Sequence, residues 1–404
     1  MINLNYNIWL QNALGAGANL NEIFETFHSA KEIYESSENA LRLTGLFAPK
    51  KLEALCDKDM KFTYKVISDC AENGIDIITI DDKLYPTCFD KLLNPPLVIY
   101  TKGDLSCFDN KIPFSIVGTR KPKNPLTLPA TRYLSSTLSK SGFLIISGGA
   151  IGVDSAAHTG ALLEGCKTVA VLGSGICSSY LKSNSSLRDA ISENGLLITE
   201  HPPFVEPRKG FFPVRNRLIA ALSEGVAVME GGVKSGSLIT AKAAYSLNKD
   251  VFVLPCHADI YANRGVFELQ RDGAKQIHSP MDVLAEYLLS YPERIVIDEQ
   301  VDLEKDLESL IDDSYCNSSG LLELEKQRLI AKRKKIKKRK LVDSVSDEAR
   351  RVYECFDTEP LSINEIADAA FMATNSVLGA LTELELYGYL ELQKDAKYFL
   401  KQEG

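Results

Sequence analysis

The sequence lacks most of what membrane, disulfide-bonded and zinc-binding proteins need. Its 404 residues contain no run of eighteen apolar residues, so no membrane-spanning helix is predicted. The nine cysteines are an odd number without a CxxC pair, and the five histidines are dispersed, which predicts no metal site. Unpaired cysteines are typical of the reduced cytoplasm, and the first residues lack the pattern of a signal peptide. We therefore expect a cytoplasmic protein.

Positive charge is also scarce. The chain has 46 Lys and Arg against 54 Asp and Glu, a formal net charge of -8, and residues 1–30 contain neither Lys nor Arg. Such a chain does not coat nucleic acid through bulk charge, because non-specific binding depends on neutralising phosphates. A nucleic-acid site therefore has to be a local basic patch. Candidate cations lie in or beside loops after predicted strands: Arg120, Lys121, Lys123, Lys182, Arg188, Arg208, Lys209, Arg215 and Arg217.

The sequence does contain a repeated pattern of strand, glycine turn and helix between about residues 110 and 290. Apolar runs alternate with amphipathic segments, which predicts an α/β fold with a Rossmann-like, doubly wound, mainly parallel sheet and helices on both faces. The predicted strands cover residues 97–100, 114–117, 143–146, 168–172, 196–199, 226–229 and 251–254.

The most distinctive glycine turn opens the stretch SGGAIGVDSAAHTGAL, residues 147–162. Gly148, Gly149 and Gly152 allow the main chain to turn sharply and to approach a ligand closely. The unpaired amides at the start of the following helix favour negative charge. Similar turns follow three other strands, and the carboxyl ends of parallel strands meet at one edge of a sheet. The four turns together predict one phosphate-binding crevice.

Composition divides the chain into four predicted segments. Residues 1–75 consist of short helices with glycine turns, as in a sterile-alpha-motif-like or helix-hairpin-helix module, and we favour a packing or protein-contact role for them. Residues 76–291 form the Rossmann-like domain. Residues 292–345 form a charged linker with an acidic first half and the basic run 332–340, which either touches DNA or is neutralised within the linker.

The last segment, residues 346–404, predicts a winged-helix domain. A capping box formed by Ser362 and Glu365 starts one helix, residues 376–386 supply a second, and two short strands form a wing. The second helix carries Glu383 and Glu385 and no basic residue, which is poor chemistry for a major groove. We expect protein contact from this domain rather than base reading.

Seven motifs resemble, in the same order, those of the DNA-processing protein A family, also called Smf. They are the Tyr85-Pro86 and Pro95-Pro96 connectors, Val117-Gly-Thr-Arg120, Ser147-Gly-Gly-Ala-Ile-Gly-Val-Asp154, Ala157-His158, Val171-Leu-Gly-Ser-Gly175, Phe212-Pro-Val-Arg-Asn-Arg217 and Ser235-Gly-Ser-Leu-Ile-Thr-Ala241. The resemblance implies a homodimer that binds single-stranded DNA. It also implies a mediator that protects incoming strands and loads the RecA recombinase onto strands covered by single-strand-binding protein during natural transformation. No catalysis and no cofactor belong to that role.

The resemblance also implies a DNA-binding site. The family's glycine-Ser/Thr-arginine motif falls on Gly118 and Arg120, and a loop lysine falls on Lys182, beside a Leu181 where the family usually has Pro. The other predicted DNA-binding residues come from the remaining turns: Gly148, Gly149, Arg215, Arg217, Ser235 and Ser237. Cys256 and Phe267 depart from the family pattern, so the last loop is assigned no binding role.

A stacking surface for bases would suit such a site. Phe211 and Phe212 beside Arg215 are candidates, although two adjacent phenylalanines are also typical of a core. Asp154, Ser155 and His158 are interpreted as structural.

The alternative function is a nucleotide-cleaving phosphoribohydrolase-like enzyme on the same Rossmann variant. Such enzymes use a PGGxGTxxE loop with a catalytic Glu, and Thr240 stands at that position here. Without this carboxylate no obvious group stabilises an oxocarbenium-like centre, although Glu200 and Glu230 near strand ends could substitute. A nicotinamide or flavin cofactor is also disfavoured, because Gly173-Ser-Gly175 only half matches the GxGxxG fingerprint.

Overall fold

The described part of the chain covers residues 2–179, 184–255, 263–296, 345–356, 361–370, 372, 374–392 and 397–400 of a computed structural model. The chain divides into two compact units, Met1–Ser318 and Ser319–Gly404. Within the described ranges, no helix combines the length and the apolar composition that crossing a membrane requires.

Short helices build the N-terminal part of the first unit. They are α1 (Ile2–Leu14), α2 (Leu20–Thr26), α3 (Ala30–Glu35), α4 (Glu38–Leu43), α5 (Pro49–Cys56) and α6 (Lys61–Glu72). Their core includes Trp9 and extends onto Val98 and Tyr100 of the sheet. Gln11 of α1 donates to the carbonyls of Val98 and Glu200, both at 2.8 Å, and accepts from the Val98 amide at 2.7 Å. These buried hydrogen bonds fix the helices to the edge of the sheet.

A nine-stranded sheet forms the centre of the first unit. Its strands are β1 (Asp76–Thr79), β2 (Val98–Gly103), β3 (Ile112–Val117), β4 (Phe143–Ser147), β5 (Thr168–Leu172), β6 (Leu196–Thr199), β7 (Gly225–Val228), β8 (Asp250–Val253) and β9 (Lys275–Gln276). Their order is β1-β2-β6-β5-β4-β3-β7-β8-β9. Strands β3 to β9 are parallel to one another, whereas β2 pairs antiparallel with both of its neighbours, β1 and β6, at one edge.

Helices cover both faces of this sheet, as the alternating pattern predicts. They are α7 (Thr127–Lys140), α8 (Val153–Leu163), α9 (Ser185–Asn194), α10 (Phe211–Leu222), α11 (Gly236–Ser246), α12 (Arg264–Arg271) and α13 (Pro280–Leu288). Apolar residues of α10, α11 and α12 pack into one core, and those of α7, α8 and α13 pack into another. Strands β4 and β5 are buried along their whole length. Such burial explains why they appear as continuous apolar runs in the sequence.

All seven predicted strands are present, with ends that differ from the prediction by at most three residues. The prediction of a mainly parallel Rossmann-like sheet is therefore confirmed. The sequence did not predict two further strands of the sheet, β1 and β9. Strand β1 has only four residues and pairs on one side, and β9 has two residues, so neither leaves a clear pattern in the sequence.

The second unit is a winged helix, as predicted. Its elements are α14 (Asp347–Glu354), β10 (Leu361–Ser362), α15 (Ile363–Ala370), α16 (Thr374–Leu386), β11 (Leu390–Leu392) and β12 (Lys397–Leu400). The predicted capping box is present, since the Ser362 amide donates to the Glu365 carboxylate and the Glu365 amide donates to the Ser362 hydroxyl. Glu383 of α16 accepts from the amide and hydroxyl of Ser346 at 2.8 and 2.5 Å. This acidic residue therefore supports its own domain.

Candidate nucleic-acid interface

A cavity of about 370 Å³ lies at the carboxyl ends of the central strands. Strand β3 lies between β4 and β7, so the chain reverses its direction across the sheet there. Ligands of open parallel sheets bind at such a reversal, outside the carboxyl ends of the strands. The lining residues come from the loops after β3, β4 and β7 and from α8, α10 and α11, and they include Gly118, Thr119, Arg120, Ala150, Asp154, Phe212, Arg215, Ser235, Ser237 and Thr240.

The loop after β3, which carries Arg120, is tied down at both ends. The Thr119 amide donates to the carbonyl of Glu230 at 2.9 Å, and the Val153 amide donates to the Thr119 carbonyl at 3.2 Å. The buried Glu230 carboxylate accepts from the amides of Lys123 and Asn124 at 2.7 and 3.3 Å, and from the Thr127 hydroxyl at 2.6 Å. Glu230, which directly follows the apolar run of β7, thus holds a loop more than one hundred residues away in sequence.

Arg120 is exposed at the mouth of this cavity. The carbon of its guanidinium group lies 4.8 Å from the centre of the Phe212 ring. Phe212 in turn packs on Gly173, where a Cβ would come within 2.8 Å of the ring. A planar guanidinium group stacked on a ring keeps its N–H groups at its rim, from which they can donate to two phosphate oxygens.

The glycine turn after β4 adopts the backbone that the sequence predicts. Gly149 and Gly152 have φ of 67° and 85°, and a Cβ on Gly152 would lie 2.7 Å from the Arg120 carbonyl. Gly148 and Gly149 are themselves buried, and Ala150 is the member of this turn that reaches the cavity. The Ala150 amide donates to Asp154 at 3.3 Å. The turn thus shapes the cavity and supports the Arg120 loop.

Arg215 is buried in the floor of the cavity. It donates to the carbonyls of Gly148, at 2.7 Å, and Val171, and so connects the ends of β4 and β5. Burial raises the pKa of the neighbouring Asp154, and the positive charges of Arg215 and Arg120 oppose that rise. The structure therefore brings both arginines to one cavity. Arg120 is exposed at its mouth, whereas Arg215 is buried and donates to backbone carbonyls.

Arg217, although also predicted as a DNA contact, lies in a buried ion pair. Its two terminal nitrogens donate to the Glu200 carboxylate at 2.6 and 2.7 Å. Its Nε donates to the backbone and side-chain oxygens of Asn94 at 3.1 and 3.2 Å. These partners give Arg217 a clear role in holding β6, α10 and the 94–97 connector together.

The remaining residues that the sequence analysis singled out, both predicted site residues and departures from the family pattern, fall in three places. Ser235 caps α11, and its hydroxyl lies 2.8 Å from that of Ser237, so both line the cavity at the positive end of a helix. Lys182, Leu181 and Cys256 lie outside the described residues, as does the basic run 332–340. Phe267 is partly exposed on α12.

One exposed aromatic residue in the loop after β6 was missed by sequence reasoning. Phe211, which the sequence offers for stacking, lies against His201 with ring centres 4.0 Å apart and is partly buried. Phe204 is 52% exposed in the loop after β6, with the Lys65 ammonium 5.9 Å from its ring centre. The only signal in the sequence was its place between two prolines in a loop after a strand.

Two buried histidines that feel the charge of Arg215 predict a pH dependence of stability. Burial, together with the positive charge of Arg215, lowers the pKa of His158 to about 3. Burial and the charges of Arg217 and Arg215 lower the pKa of His201 to about 4. Both groups stay neutral in the fold but gain a proton in the unfolded chain below about pH 6.5. The unfolded state then binds more protons, so stability is lost as the pH falls from about 6.5 toward these values.

We expect the free energy of unfolding to fall by about 2 kcal/mol per histidine between pH 7 and pH 5. Urea denaturation at the two pH values measures the loss. The variant His201→Phe keeps a ring on Phe211 and should lose about 2 kcal/mol less than the parent. His28→Phe, at an exposed position, is the matched control. An identical loss in His201→Phe and the parent would contradict this prediction.

The family relationship follows from comparison with known proteins. A family model described as DNA recombination-mediator protein A matches residues 76–288, which is more than half of the chain. The chain belongs to this family. A second model, the DprA winged helix domain, matches residues 337–395. This membership supports a DNA-processing role related to recombination.

Alignments with individual relatives cover more than half of this chain. It is 36% identical to the DNA processing protein DprA of Bacillus subtilis over 233 residues, 57% of this chain and 76% of that protein. Protein Smf of Synechocystis is 30% identical over 383 residues, 94% of each chain. The X-ray structure of DprA from Streptococcus pneumoniae superposes with a TM-score of 0.61 at 30% identity, over 70% of this chain and 97% of that one.

Proposed function

We propose that this protein binds single-stranded DNA at the cavity after β3, β4 and β7, with Arg120 as a phosphate anchor. The observation that carries the proposal is the placement of Arg120, exposed at the cavity mouth on a loop that Glu230 clamps. A positioned guanidinium group binds phosphate without reading bases. Lys182, which follows the neighbouring strand β5, is proposed as a second phosphate contact.

The concave shape favours a single strand over a duplex. A single strand can bend into a cavity and place its bases against apolar surface, whereas a duplex presents a rigid outer surface. The net charge of -8 keeps electrostatic binding local to the few cations at this edge of the sheet.

We further propose that the bound strand is passed to the RecA recombinase. In this role the protein acts in the cytoplasm as a homodimer, receives incoming strands from single-strand-binding protein and serves natural transformation. Membership of a family described as recombination mediators supports this role. A strand that spans two modest sites gains affinity from bivalency, which favours a symmetric dimer. A species that light scattering shows to be monomeric, with undiminished affinity for DNA, would remove the dimer from the proposal.

We propose no catalytic step, and the described carboxylates near the strand ends support this. The Glu230 carboxylate accepts hydrogen bonds from the Arg120 loop, and the Glu200 carboxylate is paired with Arg217. Asp154 is buried beside Arg215. Thr240 is buried at the position where the hydrolase loop would carry its Glu, so the phosphoribohydrolase alternative gains no support from these residues.

A gel-shift titration tests the proposal directly. Labelled single-stranded and double-stranded oligonucleotides of equal sequence are compared at low and high salt. We expect strong preference for the single strand and a loss of affinity with salt. Equal binding of both forms, or release of a free base from a nucleoside monophosphate, would overturn it.

A further inference from the structure

Three aromatic side chains between residues 201 and 212 each lie beside a cation, and two of these cations come from distant parts of the chain. Phe212 holds Arg120 of the loop after β3, at 4.8 Å. Phe211 holds Arg208 at 5.8 Å, and Phe204 holds Lys65 of α6 at 5.9 Å. Residues 201–212 are called the aromatic segment below. It runs from the cavity mouth to the N-terminal helices.

Backbone hydrogen bonds connect the aromatic segment to the loop after β5. The amides of Gly175 and Cys177 donate to the carbonyls of Val205 and Pro203, both at 2.8 Å, so the loops after β5 and β6 lie side by side. Cys177 also packs against the core of the N-terminal helices. The hydrogen bonds of Gln11 to the ends of β2 and β6 hold the helices against the same edge.

Only one of the three rings presents a large open surface. Phe211 is stacked on His201, and Phe212 lies between Gly173 and Arg120. Phe204 is more than half exposed, although exposing a large aromatic ring forgoes the stabilisation that its burial would supply. An exposed ring beside cations is the combination with which proteins hold single strands without sequence preference.

We infer that a single strand leaving the Arg120 cavity continues along the aromatic segment and stacks a base on Phe204, with Lys65 of α6 beside its phosphate. This inference rests on the proposed function and extends the binding site onto the N-terminal helices. The nearby charges are compatible with a strand. Lys65 is exposed and forms an ion pair with Asp69 at 2.9 Å. Arg208 and Lys209 are exposed cations. The carboxylate of Glu206 accepts a hydrogen bond from the Ser179 amide at 3.0 Å.

The length dependence of binding tests the inference. Oligothymidines of about 4 and about 24 nucleotides are titrated against the 404-residue chain, the shorter one to occupy the cavity alone and the longer one to reach the helices as well. We expect Phe204→Ala to weaken binding of the long oligonucleotide about 5- to 100-fold and to leave that of the short one nearly unchanged. Arg120→Ala should weaken both. Phe267→Ala, on the opposite half of the sheet, is the matched control and should change neither.

A tryptophan at the same position reports stacking itself. The chain has a single tryptophan, Trp9, which is buried, so Phe204→Trp adds one exposed reporter. We expect it to retain parental affinity and to lose fluorescence when the long oligonucleotide binds. Unchanged affinity in Phe204→Ala, or an unquenched Phe204→Trp, would overturn the inference while the short oligonucleotide still tests the proposed function. A parent that binds neither oligonucleotide would overturn both.

Discussion

Replacing Arg120 with Ala should weaken the binding of single-stranded DNA by about 1.5 to 3 kcal/mol, because a charge-assisted hydrogen bond to phosphate is lost. The loss should be similar for all base sequences. The slope of log affinity against log salt should become shallower by roughly 0.7, the value for one single-strand phosphate contact. Fluorescence anisotropy titrations over a range of salt concentrations measure both quantities.

The control for this variant separates binding from folding. Arg271→Ala removes an exposed arginine on α12 and should leave the affinity and the salt slope unchanged. If Arg120 instead serves the fold through its stacking on Phe212 and its charge near Asp154, thermal stability and DNA affinity will fall together with no change in salt slope. An Arg120→Ala protein that melts and binds DNA like the parent contradicts both roles.

The place of the cavity could be predicted from the sequence because it depends on topology. Buried parallel strands leave continuous apolar runs, and the runs of β3, β4 and β7 are each followed within two residues by a glycine, at Gly118, Gly148 and Gly231. The loops after β3, β4 and β7 then meet because these strands are neighbours in the sheet. Glycine at residue 152 is explained by a positive φ and by contact with the Arg120 backbone. The glycine turns in the sequence and the rule that parallel strands end at one edge of the sheet therefore predict that Gly118, Arg120, Ser235 and Ser237 lie together, and all four line the cavity.

The partners of the buried charges could not be predicted in the same way. Arginine is normally exposed, so Arg215 and Arg217 appear in the sequence as surface cations. Their burial arises because α10 packs against the ends of three strands, which leaves backbone carbonyls and the Glu200 carboxylate to be paired. The Asn94 contact joins residues 123 positions apart. Pairings over such distances depend on the packed structure, and no local pattern encodes them.

Replacing Arg217 with Ala should destabilise the protein by about 3 to 5 kcal/mol, the largest stability effect expected for a single substitution near this site. The reason is that the Glu200 carboxylate remains buried after its partner is removed. Glu200 is 3% exposed and would keep a buried charge without the two hydrogen bonds that now compensate for its lost hydration. Urea denaturation of the variant and the parent at pH 7 measures the difference.

A double variant shows whether the pair itself or the orphaned charge causes the loss. Arg217→Met combined with Glu200→Leu removes both charges and keeps most of the volume, so it should recover a large part of the stability that Arg217→Ala loses. Binding to single-stranded DNA distinguishes this structural role from the contact that the sequence alone suggests. Below its melting temperature, Arg217→Ala should bind with the parental salt slope, because its guanidinium group is committed to Glu200 and Asn94. A variant that stays stable but binds with a shallower slope would instead make Arg217 a phosphate contact and would require the ion pair to open when DNA binds.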